Sequence, residues 1–435
     1  MRNICSKLLR PLTRLLSALL SAIVLFTYIP MYYFTSYASE FEDEVRIEPY
    51  LRRIIKHKLD MPEDDPAPLT VEQLHSVTGR VSVSDIPMRS LEGLQYLTGI
   101  DSLKIDRTEV KDFSAVSELK GLKYLYLYEN DMEKLPSFDD LDALLEIEAP
   151  WNKITDISGL TCASHIRKIT LNDNLITKLP DLSSLMYLEK LILFSNKISE
   201  IEITGDMPSL TEIALDDNLI TDISPLKDLS SLQYLSVRYN KLTGFDPEDV
   251  FPYIDDLYID GNILESYDLS DNFPAITSLG VSDSGLTDFG PLLTHPTIKA
   301  LYVYNNDISD VSEIASSDNR VIELIDLSNN IISDLSPFAD YEFTFPIYLK
   351  GNPIDLSKQD NIDILLRLFE KFPEVKFTLA IPADPSSAVS VISGPEEQPS
   401  GNGVISIIIA AASAGTGLMI LVFFLHIRHK RSLRK

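Results

Sequence analysis

The stretch that decides the fold is Leu210 to Leu229, LTEIALDDNLITDISPLKDL. Leu210, Ile213, Leu215, Asn218, Ile220, Ile223, Leu226 and Leu229 stand at fixed offsets, while the residues between them vary. The spacing L-x-x-L-x-L-x-x-N is neither a helical period nor a sustained strand alternation; it encodes a short strand, a turn and a return path. The frame recurs with Asn or a hydroxyl residue at Thr108, Asn130, Asn152, Asn174, Asn196, Asn218, Asn240, Asn262, Ser284, Asn306, Asn330 and Asn352. Every step is 22 residues except the 24 from Asn306 to Asn330. One turn cannot bury its own apolar face, so stacking is required and a single elongated domain is expected despite the 435-residue length.

On these residues, and on Asn218-Leu-Ile-Thr-Asp-Ile-Ser-Pro-Leu226 in particular, the chain resembles the leucine-rich repeat family in the 22-residue form of the bacterial internalin-type proteins. The resemblance covers roughly Ile47 to Glu374. It implies an α/β solenoid, with a curved parallel sheet on the concave face and 3₁₀ turns and loops on the convex face. Proline in return paths such as Ser224-Pro-Leu226 and Ser336-Pro-Phe338 favours the same short turns over full helices. In each turn the Asn amide is expected to satisfy backbone groups left open where the strand bends, a structural role that Thr108 and Ser284 share through their hydroxyls.

Outside residues 81–357, which carry the repeats, other patterns take over. Residues 1–38 open with Arg2, Lys7, Arg10 and Arg14, continue almost wholly apolar from Leu15 to Phe34 and end on Ser36-Tyr37-Ala38, the layout of a secretory signal peptide. The length of the apolar run leaves an uncleaved anchor as the alternative. Residues 40–80 read as an N-terminal cap: Ile47, Leu51, Ile54, Ile55 and Leu59 recur at helical spacing, and Thr70 with Gln73 forms a capping-box signature for a second helix. At the far end 358–378 contains a cap helix over Asn361 to Phe372, expected to bury Ile362, Leu365, Leu366 and Phe369. Residues 379–403 form a Pro/Ser/Gly-rich stalk, and 404–425 hold no charge over a length that spans a bilayer as a helix. The basic tail 426–435 then belongs in the cytoplasm, and the repeats outside it. The Leu-Pro-x-Thr-Gly of a sortase signal is missing.

No Asp or Glu occurs in 1–39 or 403–435, so excluding the nine basic residues there takes the balance from −27 to −36. Such a surface repels nucleic acid and suits a protein partner with basic projections. None of His57, His75, His165, His295, His426 and His429 stands in a metal-ligand spacing, and no nucleophile elbow, phosphate loop or paired-cysteine motif is present. The sequence therefore calls for no cofactor, metal or catalytic residue. With Cys5 in the leading segment, Cys162 is left without an intramolecular disulfide partner.

Binding is expected to reside in the positions between the strand leucines, which alternation sends out onto the concave face. Turn by turn these read Tyr124, Tyr126 and Tyr128, then Trp151, Phe194, Tyr234, Tyr239, Tyr258, Tyr302, Tyr304 and Tyr348. Glu129, Glu146, Glu148, Asp173, Asp216, Asp217, Asp256 and Asp260 are assigned to the same face. Exposed aromatics among acids suit a protein ligand carrying Arg or Lys. The resemblance implies adhesion to host or neighbouring cells, whereas a short stalk with a retained anchor favours a receptor or scaffold within the envelope.

Overall fold

The computed structural model describes residues 45–316, 321–373, 375, 406–411 and 419–424. The expected signal peptide, stalk and basic tail, with part of 404–425, lie outside them.

Thirteen strands form one parallel sheet in sequence order. They are β1 (Gly79–Ser84), β2 (Ile100–Asp106), β3 (Tyr124–Tyr126), β4 (Glu146–Glu148), β5 (Lys168–Thr170), β6 (Lys190–Ile192), β7 (Glu212–Ala214), β8 (Tyr234–Ser236), β9 (Asp256–Tyr258), β10 (Ser278–Gly280), β11 (Ala300–Tyr302), β12 (Leu324–Asp326) and β13 (Ile347–Tyr348). Twelve of them belong to the Asn frames; β1 comes from the irregular first turn. From β2 on, neighbouring strands pair in strict register, with Leu235 between Ile213 and Leu257, while β1 shifts register against β2 between Gly79 and Arg80. Identical frames therefore bring identical positions side by side, and the inward strand columns are continuous rows of buried apolar side chains, Leu, Ile and Val but for Ala149. Burying one such side chain contributes about 1.5–3 kcal/mol, so the core grows by one increment per turn.

The asparagines do what the frame requires. In the turn of Asn174, Nδ2 donates to the carbonyls of Ala149 (3.0 Å) and Leu171 (3.1 Å), and Oδ1 accepts from Ile154 N (3.0 Å). The pattern repeats through Asn352, each amide stitching its own turn to the preceding one. At the substituted positions Thr108 Oγ1 donates to Asn130 Oδ1 (2.8 Å) and Ser284 Oγ to the Ser282 carbonyl (3.0 Å).

Return paths run through 3₁₀ turns at Ser114–Glu118, Ser158–Cys162, Ser224–Leu226 and Ser336–Phe338, and through single α-turns at Gly290–Leu293 and Ser312–Ser316. The 24-residue step holds the second of these α-turns. A recurring aspartate starts the return path by accepting from the backbone N–H two residues on: Asp112 from Ser114, Asp156 from Ser158, Asp222 from Ser224 and Asp334 from Ser336, at 2.8–2.9 Å. These bonds hold the carboxyls of Asp112 and Asp156 below their ordinary 3.8. Asp181, bonded chiefly to the Thr204 hydroxyl, and Asp334, bonded chiefly to Lys358, lie lower still at about 2. A carboxylate depressed in the folded state contributes stability above its unfolded pKa and loses it as pH falls through the folded one. Burial raises Asp216, Asp256 and Glu313 and opposes this, but those groups are fewer. The melting temperature is therefore expected to be flat above about pH 5 and to fall steadily from about pH 4 to 2. A circular-dichroism melting series that stays level across that interval contradicts this sign.

Both ends are closed. Helix α1 (Pro49–Lys58) is capped by Glu48, whose Oε2 accepts from Leu51 N at 2.9 Å, and α2 (Val71–Ser76) has the full Thr70–Gln73 capping box. Buried Lys56 donates its ammonium to the Asp65 carbonyl, tying the turn between them to α1. At the other end α3 (Gln359–Lys371) buries Asn361, Ile364 and Leu368 and leaves Leu366 exposed. The expected face of Ile362, Leu365, Leu366 and Phe369 is thus rotated. Asn361 decides it: Oδ1 accepts from Leu335 N (2.8 Å) and Nδ2 donates to the Asp355 and Ser333 carbonyls (2.9 and 3.1 Å), pinning the helix by a polar residue that apolar periodicity ignores.

Within 404–425 the described residues are Ser406–Ala411 and Met419–Phe424, which pair as antiparallel strands. The Ile, Val and Phe of these stretches favour extended backbone locally. No helix among the described residues is long and apolar enough to cross a membrane.

Candidate protein-binding surface

In the central strands the middle residue points into the core, and its neighbours half-emerge on the concave face. In β3, Leu125 is buried between Tyr124 and Tyr126. Register sets Tyr126 between Lys104 and Glu148. Its ring stacks on Tyr128 with centroids 6.3 Å apart, Arg80 lies 5.4 Å from the centroid of Tyr126, and Lys104 lies 5.7 Å from that of Tyr128. The Tyr128 hydroxyl donates to Glu148, a carboxylate that also accepts from Lys168, which bonds Glu146 at 2.7 Å. Burial first, and then the Glu146 and Glu148 carboxylates, raise the Tyr126 phenol above its usual range. This end of the face is an aromatic and ionic cluster fixed before any partner arrives.

Towards the middle the third strand positions become Thr170, Ile192, Ala214 and Ser236, a low floor with Phe194 at its side. A second aromatic cluster follows. Tyr234 and Tyr258 are 5.5 Å apart, the Arg238 guanidinium sits 4.3 Å above Tyr258, and Tyr258 leans over Gly280, where an added Cβ would lie 2.7 Å from its Cδ1. Tyr302, Tyr304 and Tyr348 are half-buried beyond it. Burial is the leading cause of the raised phenols of Tyr234, Tyr302 and Tyr304.

Two acids expected to face a partner are committed to the fold. Asp216 Oδ1 accepts from Arg238 N (2.8 Å) and Ser236 Oγ (2.5 Å). Asp260 Oδ1 accepts from Ser282 N (2.7 Å), and its Oδ2 from Arg238 Nε (2.9 Å). Each caps an N–H of the following turn just past the end of its strand.

Trp151 and Tyr239 stand elsewhere than the concave floor. The residue before each frame position has positive φ, from Arg107, Glu129, Trp151, Asp173, Ser195 and Asp217 through Tyr239, Gly261, Asp283, Asn305 and Asn329 to Gly351. Alternation stops where the backbone turns left-handed, so this column projects from the edge of the sheet, taking Glu129, Asp173 and Asp217 with it. Trp151 (52 % exposed) and Tyr239 (47 %) are its large apolar members. Tyr239 lies against Gly261, where an added Cβ would enter its ring, and its hydroxyl donates to Asp283 Oδ2 at 2.8 Å. That bond is the first cause of a phenol pushed up to about 12. Among the described residues no three His, Cys, Asp or Glu are placed to hold a metal ion.

Models of the leucine-rich repeat match residues 188–228, in two copies, and 231–252. Among solved structures, an internalin (inlF) of Listeria monocytogenes superposes with a TM-score of 0.51 at 22 % identity, over 74 % of this chain and 87 % of that one. The fold is that of the leucine-rich repeat proteins. The functional domain of InlJ from Listeria monocytogenes (TM-score 0.46, 18 % identity, 69 % of this chain and 79 % of that one) is also similar, as is a leucine-rich repeat protein of Leptospira interrogans (0.45, 17 %, 66 % and 74 %). No curated protein matches the chain.

Within this leucine-rich repeat frame, the sequence reading placed Arg238 on the face but overlooked Asp283 and the two glycines that let tyrosines lie flat. It also overlooked the exposed Leu175, Leu219 and Ile263, each directly after a frame Asn. The Asn itself marks both columns, since its neighbours on either side are the edge residues.

Proposed function

We propose that the chain is a non-catalytic binding protein of a bacterial envelope that holds a protein partner against its concave sheet, as a receptor or scaffold. The observation that carries this reading is the pair of tyrosine clusters, around Tyr126 and around Tyr258, fixed by cations and carboxylates at the two ends of a low floor. Tyrosines immobilised in advance lose little conformational entropy on binding and supply large amphipathic contact areas. The 22 uncharged residues 404–425 and the five basic residues after them support a C-terminal membrane anchor, and the basic, apolar leader supports export. The −36 balance between the two apolar segments supports a partner with basic side chains and argues against nucleic acid.

A photo-crosslinking amino acid at Tyr126 or Tyr304 is expected to yield a discrete protein adduct in intact cells, and the same group at Tyr253 outside the sheet is not. The combined Tyr126→Ala and Tyr302→Ala change should cut adduct from Tyr304 at least tenfold. Equal labelling from all three positions would remove the concave face from consideration. The adhesin alternative makes a different demand, namely that protease added to intact cells reach the repeats.

A further inference from the structure

We propose that the sheet edge carries two docking stations for basic side chains of one extended protein segment, at Trp151 and at Tyr239. This deepens the binding reading above and rests on it. Both aromatics occupy the left-handed column, where most other turns use Asp, Ser, Asn or Gly, with Arg107 and Glu129 the remaining exceptions, and where a bulky side chain costs most. Both are about half exposed, and both are bracketed by acids of the same column. Trp151 lies between Glu129 and Asp173, and Tyr239 between Asp217 and, across Gly261, Asp283. The acids are held in place: Glu129 meets Arg107 at 3.7 Å, Asp173 accepts from Asn172 at 2.6 Å, and Asp283 accepts from Tyr239. An aromatic face between carboxylates attracts an Arg or Lys both by its quadrupole and by charge.

Between the stations the column itself carries Asp173, Ser195 and Asp217, and the column beside it carries Leu175, Lys197 and Leu219. Leu175 and Leu219 are exposed there, and Ile263, 74 % exposed, follows the second station. None of the half-buried concave tyrosines is as exposed as these edge residues. The exposed lysines Lys197 and Lys241 alternate with these apolar residues in one column, so a basic segment follows the aromatic and acidic column and meets Leu175 and Leu219 only at its flank. The stations are four turns apart, roughly 19 Å at about 4.8 Å per strand. An extended chain advances about 3.3 Å per residue, so basic residues six positions apart span that distance, and because six is even they project from the same face. The occupant is a protein segment of the form basic-x5-basic.

The test uses the full chain and dye-labelled 11-residue peptides with apolar and neutral residues around two arginines, read by fluorescence anisotropy. The peptide with arginines six apart is expected to bind at least tenfold more tightly than peptides with arginines three apart or with one arginine changed to Gln. Trp151→Gly and Tyr239→Gly suit the left-handed backbone and leave the charge unchanged. Each should reduce the six-apart peptide to the level of the single-arginine one. Emission of Trp151, the chain's only tryptophan, should change on binding only when an arginine can reach it. Equal affinity for all spacings, or binding unaffected by either variant, means diffuse attraction to an acidic surface and overturns the proposal. The two readings fail separately. A concave adduct that survives the edge variants leaves the floor standing and removes the stations. Spacing-dependent peptide binding without a concave adduct does the reverse.

Discussion

Replacing Asn218 by alanine is expected to destabilise the chain by about 3–5 kcal/mol, the largest loss from any single uncharged substitution on the ladder's scale. Its Nδ2 donates to the carbonyls of Leu193 (3.1 Å), Leu215 (3.0 Å) and Asp216 (3.1 Å), and its Oδ1 accepts from Ile198 N (2.8 Å). The side chain is 5 % exposed, so alanine leaves several backbone groups without partner or water. A buried orphan costs about 1–3 kcal/mol, and the full sum is reduced because some of these carbonyls hold other bonds. Position adds to the effect: Asn218 lies mid-array, where a broken interface uncouples the turns on either side. Urea unfolding should show a lower midpoint, and hydrogen exchange should show the Ile198 amide losing protection first. Lys197→Ala, one residue away on the exposed edge, should stay within about 0.5 kcal/mol. Comparable midpoints for the two variants would mean that the asparagines do not hold the turns together.

Gly261→Ala should cost about 2–4 kcal/mol while adding only a methyl group. The residue has φ +68°, where a β-carbon costs about 1–2 kcal/mol. The methyl would also enter the space of the Tyr239 ring, which must swing away and release Asp283. A hydrogen bond to a charged acceptor contributes about 1.5–3 kcal/mol, discounted here because the pair is exposed. The result has a spectroscopic signature. Tyr239 in the native chain ionises at about 12, held protonated by its bond to Asp283. In Gly261→Ala the tyrosinate titration assigned by difference from Tyr239→Phe should move down towards 10, the ordinary value. An unchanged titration would show that the ring does not depend on the glycine.

How much was legible varies with the range of the interaction. The 22-residue frame, the Asn ladder, the Thr70–Gln73 cap and the 3₁₀ return paths were readable, because each rests on residues a few positions apart or on one offset repeated. The face of α3 was not, because Asn361 bonds to Leu335, Ser333 and Asp355 on the preceding turn and apolar spacing carries no record of them. On the candidate surface the strand tyrosines fell where alternation put them, flanking buried leucines. Trp151 and Tyr239 did not: they share the parity of buried Ile147 and Ala149, and of Leu235 and Val237, and only the left-handed φ at each sends it out to the sheet edge. Asp216 and Asp260 were counted as acids available to a partner, but the N–H groups they accept from belong to residues 22 positions later.

The sequence by itself determined that this chain is a repeat solenoid, how many frames it has and which residues of each repeat form the core. Those properties depend on a pattern that each turn repeats within itself, so a single turn read correctly stands for the rest. Only the tertiary structure decided which of the remaining residues lie on the concave floor and which on the edge, and which acids remain available to a partner. That sorting depends on backbone hand at the end of each strand and on hydrogen bonds from one turn to the next. Neither is written in the residue types of any one turn, and both become definite only when the turns are stacked.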